Sequence, residues 1–195
     1  MKTISIALGL LAAAVLAGCG GSETTPKAVT AKDLPALVRA APERPKADYK
    51  QVRAAFVARK DTAKGSIERA LAFKSAYAVR WQDFPTTAEA LALLFRDEAA
   101  ARKAFALLRR SSERGITRVN ENRWVDKWVE VDGDLGDESW AARENCRRDG
   151  PPCGFTFQWR DGNLVFSAAL WNHQTTIDED DARAYAEAIE GRAAG

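Results

Sequence analysis

The sequence predicts an α+β domain, with one antiparallel sheet of about five strands and two to three helices packed on one face. Three observations carry that prediction. Apolar and polar residues alternate over 155–160 and again over 164–171, and the Asp161-Gly162 pair between these runs is a hairpin signal. Further runs of strand length lie at 77–84, 89–95 and 124–131. Over 97–110 and 179–192 the apolar residues recur instead at helical spacing.

The chain opens with a segment that does not belong to this fold. Lys2 supplies a positive start, an apolar run follows from Ile4 to Val15, and Ala17-Gly18 are small residues of the kind a signal peptidase needs. The run is shorter than the roughly 20 apolar residues that span a bilayer, so it reads as a cleaved signal. Leu16-Ala17-Gly18-Cys19 resembles the lipobox of bacterial lipoproteins. The resemblance implies a diacylglycerol-modified Cys19 thiol, cleavage just before Cys19 and stable anchoring once a second acyl chain is added. The expected organisation is therefore a signal peptide at 1–18, lipidated Cys19 with a flexible tether at 19–32, and one extracytoplasmic domain at 33–195.

Within that domain a short helix is expected at 33–40, carrying Leu34, Leu37 and Val38 and stopped by Pro42. Residues 49–58 fit strand and helix equally well, because Val52, Ala54 and Phe56 alternate while Tyr49, Val52 and Phe56 also share a helical face. Ser66 is a candidate cap for a helix bearing Ile67, Ala70 and Leu71. Asp97 sits at an N-cap position before Ala101, Ala104, Phe105 and Leu108, and Gly115 is the expected C-terminal stop. Ser139 to Arg143 has the pattern of a further short strand. The last helix carries Ala182, Tyr185, Ala186 and Ile189 on one stripe, with acids in its first turn where the helix dipole favours them.

Composition narrows the function classes. Removing the signal leaves 177 residues with 28 basic and 27 acidic side chains, a balance that argues against nucleic acid as the partner. With Cys19 assigned to lipid, Cys146 and Cys153 remain as a pair in an oxidising compartment, and a disulfide between them closes a short loop worth about 2.5 kcal/mol. A metal site wants more ligands at matching spacing, and His173 is the sole histidine. No metal or cofactor is implied.

Several groupings carry conceivable chemistry. Asp132, Asp134, Asp137 and Glu138 resemble a cation loop but lack the EF-hand spacing, which leaves a polar turn as the reading. Asp178 to Asp181 read as helix capping. His173 lacks a nucleophile on a strained turn, since no G-x-S-x-G occurs, so no catalytic residue is assigned and the chain is read as a non-enzyme. Arg143, Arg147, Arg148 and Arg160 surround the cysteine loop and read as a solvated basic tip. The six tryptophans, Trp81, Trp124, Trp128, Trp140, Trp159 and Trp171, are many for this length. They are read mainly as core, with Trp81, Trp128, Trp159 and Trp171 kept as candidates for stacking on a sugar or an acyl chain.

The lipobox, Asp33-Leu34-Pro35, the run from Phe95 to Arg102, Leu135-Gly-Asp-Glu138 and Trp159-Arg-Asp-Gly-Asn-Leu-Val165 together resemble small actinobacterial lipoproteins. Related arrangements occur in sensor-type domains outside Ser/Thr kinases. The resemblance implies an α+β domain with a groove and carries over no catalytic residue; the two-disulfide pattern of some such sensors is absent. The expected function is a membrane-anchored, non-catalytic envelope domain that binds a small apolar ligand, a wall fragment or a protein. The alternatives are an interaction lipoprotein with a filled core, or a hydrolase using His173.

Overall fold

A computed structural model describes residues 29–42, 48–56, 73–123, 128–145, 150–172 and 174–193. Helix α1 (Leu34–Leu37) precedes strands β1 (Lys50–Phe56), β2 (Phe73–Asp83) and β3 (Thr86–Phe95). Helix α2 (Glu98–Arg123) leads into β4 (Trp128–Val131), β5 (Glu138–Asn145), β6 (Pro152–Asp161) and β7 (Leu164–Asn172), and helix α3 (Glu179–Ala193) ends the chain. All seven strands join one sheet in the order β1-β2-β3-β7-β6-β5-β4, with every neighbouring pair antiparallel.

The class is as expected, but the strand number is seven rather than about five. The two additions are segments whose pattern was equivocal. Residues 50–56 resolve as an edge strand with a bulge between Gln51 and Arg53, and 138–145 as a strand between β4 and β6. Pairing with a neighbour decides what periodicity alone left open.

The helices are not on one face, which corrects the second expectation. On one side Ala88, Ala90, Leu94, Phe155, Phe157 and Phe166 pack with α1 and α3 through Leu34, Val38, Tyr185 and Ile189. The alternate residues Leu93, Phe95, Trp140, Ala142 and Val165 point the other way and pack with α2 through Ala101, Ala104 and Phe105. Side chains alternate across a strand, so odd and even positions of β3 belong to different cores. The domain thus has three layers: α1 and α3, the sheet, and α2.

Local chemistry explains the element ends. Asp97 Oδ1 accepts the Ala100 N–H at 2.8 Å, the expected N-cap of α2. Gly115 does not end that helix, which continues to Arg123. A glycine within a helix costs only about 1 kcal/mol relative to alanine, and no proline follows to force a stop. Helix α1 is a single turn, shorter than expected. The β6–β7 hairpin turns at Gly162, which takes φ +52° and has open space around its Cα.

A buried arginine locks the end of the sheet where α2 begins. Arg160, only 3% exposed, pairs with Asp137 at 2.8 Å, Glu138 at 3.0 Å and Glu98 at 3.5 Å. Arg102 adds a second cation, reaching Glu98 at 2.8 Å and Glu138 at 3.3 Å. The network therefore ties α2, β5, β6 and the β4–β5 connection together. No described helix is long and apolar enough to cross a membrane.

Candidate functional site

The strongest candidate surface is the part of the sheet that α2 leaves uncovered. On the α1/α3 side, the central strands β3, β6 and β7 bury the residues that face the core, from Ala88 to Leu94 and from Leu164 to Leu170. On the α2 side, the same strands change character along their length. Near α2, Leu93, Phe95, Val165 and Arg160 are buried; further along, Leu91, Ser167, Gln158, Ala169, Thr156 and Trp171 are each partly exposed.

The register places these residues in three rows across β6 and β7. Gln158 lies opposite Ser167, Thr156 opposite Ala169, and Gly154 opposite Trp171. Each row continues onto β3, to Leu91, Glu89 and Thr87 respectively. With about 3.4 Å per residue along a strand, the outer rows are about 14 Å apart. The floor is made of small and hydroxylated side chains. Gly154 is buried, and an added Cβ there would come within 3.0 Å of Trp171 Cβ. Arg80 and Glu89 form an ion pair at the β2–β3 border of the patch.

At the α2 end of the patch two residues on neighbouring strands each bury a polar atom that is unpartnered among the described residues. Trp140 and Gln158 are directly opposed on β5 and β6. The indole Nε1–H of Trp140 and the amide Oε1 of Gln158 are both buried, and neither has a hydrogen-bond partner among the described residues. Leaving such a group unsatisfied costs about 1–3 kcal/mol.

The predicted tryptophans fall into distinct environments. Trp159 is 0% exposed and stacks on Phe166 with centroids 5.1 Å apart, so its ring fills the α1/α3 core. Trp81 is partly exposed on that same side of the sheet, packed against the core with its Nε1 buried and unpartnered among the described residues. Trp171 and Trp128 share the α2 side and one cross-strand row, separated by Gly154 and Glu144. The four rings therefore do not converge on one site, and only Trp171 borders the uncovered patch. Cys19, Trp124, Cys146, Arg147, Arg148 and His173 lie outside the described residues. Cys153 sits partly buried near the start of β6.

The acidic groupings are structural. The carbonyls of Asp132 and Gly133 accept from Arg183 at 2.9 and 3.2 Å, Gly136 N–H donates to Glu190, and Asp137 accepts from Gly162 N–H at 3.0 Å. A loop whose oxygens face the chain's own donors is a junction between α3 and two hairpins. Asp178 Oδ1 accepts from Asp180 N–H at 3.0 Å in the first turn of α3. Among the described residues no group of three or more His, Cys, Asp and Glu side chains could hold a metal ion. Arg160 is not part of a solvated basic tip, because its guanidinium is enclosed by the carboxylates described above.

Charge and burial shift three groups. The Arg96 guanidinium and the Ala100 N–H hold Asp97 below the usual carboxylate range. Burial, reinforced by Asp137 and Glu190, raises Asp161 despite the opposing charge of Arg160. Burial also raises the Tyr185 phenol, with Glu89 and Tyr49 adding to it, so Tyr185 stays neutral inside the α1/α3 core. None of these shifts lies in the uncovered patch.

Sequence reasoning found Trp171 and missed Gln158, Thr156, Ser167 and Gly154. Their signal was present as the polar half of the alternation in β6 and β7. A polar half ordinarily means contact with solvent, and only the placement of α2 over one end turns it into a bounded patch.

No protein-family model matches the chain, and no curated protein is similar to it in sequence. Among solved structures, the chain is similar in fold to the extracellular domain of PknH from Mycobacterium tuberculosis. The TM-score is 0.51 at 10% sequence identity, covering 84% of this chain and 96% of that one. At that identity the likeness concerns the fold.

Proposed function

We propose that the chain is a non-catalytic extracytoplasmic binding domain, held at the membrane by lipid on Cys19 and displayed on the tether at 19–32. Leu16-Ala-Gly-Cys19 supports the anchor, and a fold shared with an extracellular domain supports the compartment. The observation that carries the binding function is the partly exposed patch on β3, β6 and β7, edged by Trp171. Such a surface offers stacking and hydrogen bonding.

The partners of this reading are the lipid bilayer, through Cys19, and a small ligand or cell-envelope component at the patch. The Cys146–Cys153 disulfide belongs to the same proposal. Asn145 and Pro152, which adjoin the two cysteines in sequence, are opposite each other in the β5–β6 pairing. Native mass spectrometry of protein purified from its own host, as wild type and as Trp171→Ala, tests the reading. A co-purified mass on the wild type that is depleted in Trp171→Ala is expected. Bare protein in both preparations would favour an interaction lipoprotein with a filled core.

A further inference from the structure

We propose that the solvent-facing stripe of α2, formed by Lys103, Leu107, Arg110 and Arg114, docks the domain onto the anionic headgroups of the bilayer that holds its lipid anchor. The inference rests on the reading of Cys19 as the lipidated residue and adds an orientation to it.

The near-neutral total charge conceals a separation across the sheet. Helix α2 (98–123) carries seven basic and three acidic residues, whereas α3 (179–193) carries two basic and five acidic. The two helices cover opposite faces of the sheet, so one outer layer is positive and the other negative. An anionic plane attracts the first and repels the second, which turns the domain as well as holding it.

Within α2 the geometry sets the cations apart. At about 100° per residue, Lys103, Leu107, Arg110 and Arg114 fall within about 60° of one another and extend over about 16 Å. They lie opposite Ala101, Ala104, Phe105 and Leu108, which pack on the sheet. All four are exposed, Leu107 to 39%. The described acids of the helix lie on its flank, where Glu98 takes Arg102 at 2.8 Å and Glu113 takes Arg109 at 2.7 Å. Lys103, Arg110 and Arg114 form no ion pair among the described residues, and the Arg114 Nε–H donates to the Arg110 carbonyl at 3.1 Å. Three such cations around one exposed leucine match the phosphate layer of a bilayer and the apolar boundary just beneath it.

The anchor supplies proximity. Val29, the first described residue, follows Cys19 by ten residues, at most about 35 Å of chain. A domain on so short a tether stays near the headgroups, and each basic residue close to an anionic surface strengthens the contact about five-fold. Docked in this way, the partly exposed patch on β3, β6 and β7 faces the same bilayer.

The lipidated protein, reconstituted in vesicles of phosphatidylcholine alone or of an equal mixture with phosphatidylglycerol, tests the proposal. Lys103 is footprinted with an uncharged acetylating reagent and read by mass spectrometry, and the α3 carboxylates Asp180 and Glu187, labelled with carbodiimide, serve as references. Lys103 labelling is expected to slow about five-fold or more on the anionic vesicles, while Asp180 and Glu187 label as before. Salt at about 1 M, where the Debye length is about 3 Å, should remove that protection. Arg110→Glu with Arg114→Glu should abolish it as well, and Arg110→Lys with Arg114→Lys should keep it; circular dichroism establishes that both variants are folded. Equal Lys103 labelling on the two kinds of vesicle overturns the inference. Protection that follows protein density rather than phosphatidylglycerol also overturns it, since copies of the chain then cover the stripe. Protein that fails to float with phosphatidylcholine vesicles refutes the anchor reading instead; in that case flotation with the phosphatidylglycerol vesicles supports the stripe and its absence overturns it.

Discussion

Two glycines with nearly the same backbone geometry provide a sharp test of the fold around the Arg160 network. Gly136 has φ +55° and Gly162 has φ +52°, both in the left-handed region. An alanine there costs about 1–2 kcal/mol from backbone conformation alone. The surroundings differ. A Cβ on Gly162 meets nothing within 4 Å, whereas one on Gly136 lies 2.4 Å from the Arg160 carbonyl oxygen and 2.9 Å from Trp159 Cδ1. That oxygen cannot yield cheaply, because it accepts the Asp137 N–H at 2.8 Å, and the Gly136 N–H is itself bonded to Glu190. Reaching ordinary contact requires a shift of about 1 Å, which disrupts one or two hydrogen bonds worth about 0.5–1.5 kcal/mol each and disturbs the Trp159 ring. Gly162→Ala should therefore lose about 1–2 kcal/mol and Gly136→Ala about 3–5 kcal/mol. The entropic benefit of replacing glycine in the unfolded chain is common to both and cancels in the difference. Thermal unfolding by circular dichroism should place Gly136→Ala about 4–12 °C below Gly162→Ala for a domain of this size. Equal losses in the two variants would refute the close approach of the β4–β5 turn to β6.

Three further outcomes are expected. Trp159→Ala, which empties a fully buried site stacked on Phe166, should cost about 3–5 kcal/mol, whereas Trp171→Ala at the partly exposed rim should cost about 1 kcal/mol or less; urea titration separates them. Because burial raises the Asp161 carboxyl in the folded protein, the native state binds that proton more tightly than the unfolded chain. Asp161 thus opposes folding as pH rises above the ordinary carboxylate range, and Asp161→Asn should gain a small stability at neutral pH that disappears below about pH 4, checked by unfolding at several pH values. Intact-mass analysis under alkylating conditions should find Cys146 and Cys153 blocked until reduction, and reduction should lower stability by about 2.5 kcal/mol; two thiols that alkylate without reductant would contradict the pairing.

Much of the architecture was legible because alternation and helical spacing are local. The β6–β7 hairpin, the capped start of α2 and the four-residue stripe of α3 all follow from patterns within about 15 residues. The placement of α2 was not legible. Its apolar side, Ala101, Ala104 and Phe105, is the same whichever face of the sheet it covers, and the choice lies in long-range packing against Trp140 and Val165. Strand β1 was equivocal for a related reason: an exposed edge strand needs little apolar alternation, and Val52 falls in its bulge, 52% exposed. The patch was half visible. Trp171 stood out by residue type, while Gln158, Thr156 and Ser167 read as the ordinary polar half of a strand pair.

The proposed binding surface is the partly exposed stretch of the sheet on its α2 side. Side-chain N–H resonances test it most directly, because the Trp171 indole and Gln158 carboxamide belong to that face while the Trp159 indole is enclosed on the other. Adding an extract of host cell envelope to 15N-labelled protein should shift the Trp171 indole and Gln158 carboxamide signals and leave that of Trp159 in place. Shifts confined to Trp81 and Trp159, or no shift at either Trp171 or Gln158, would contradict the claim.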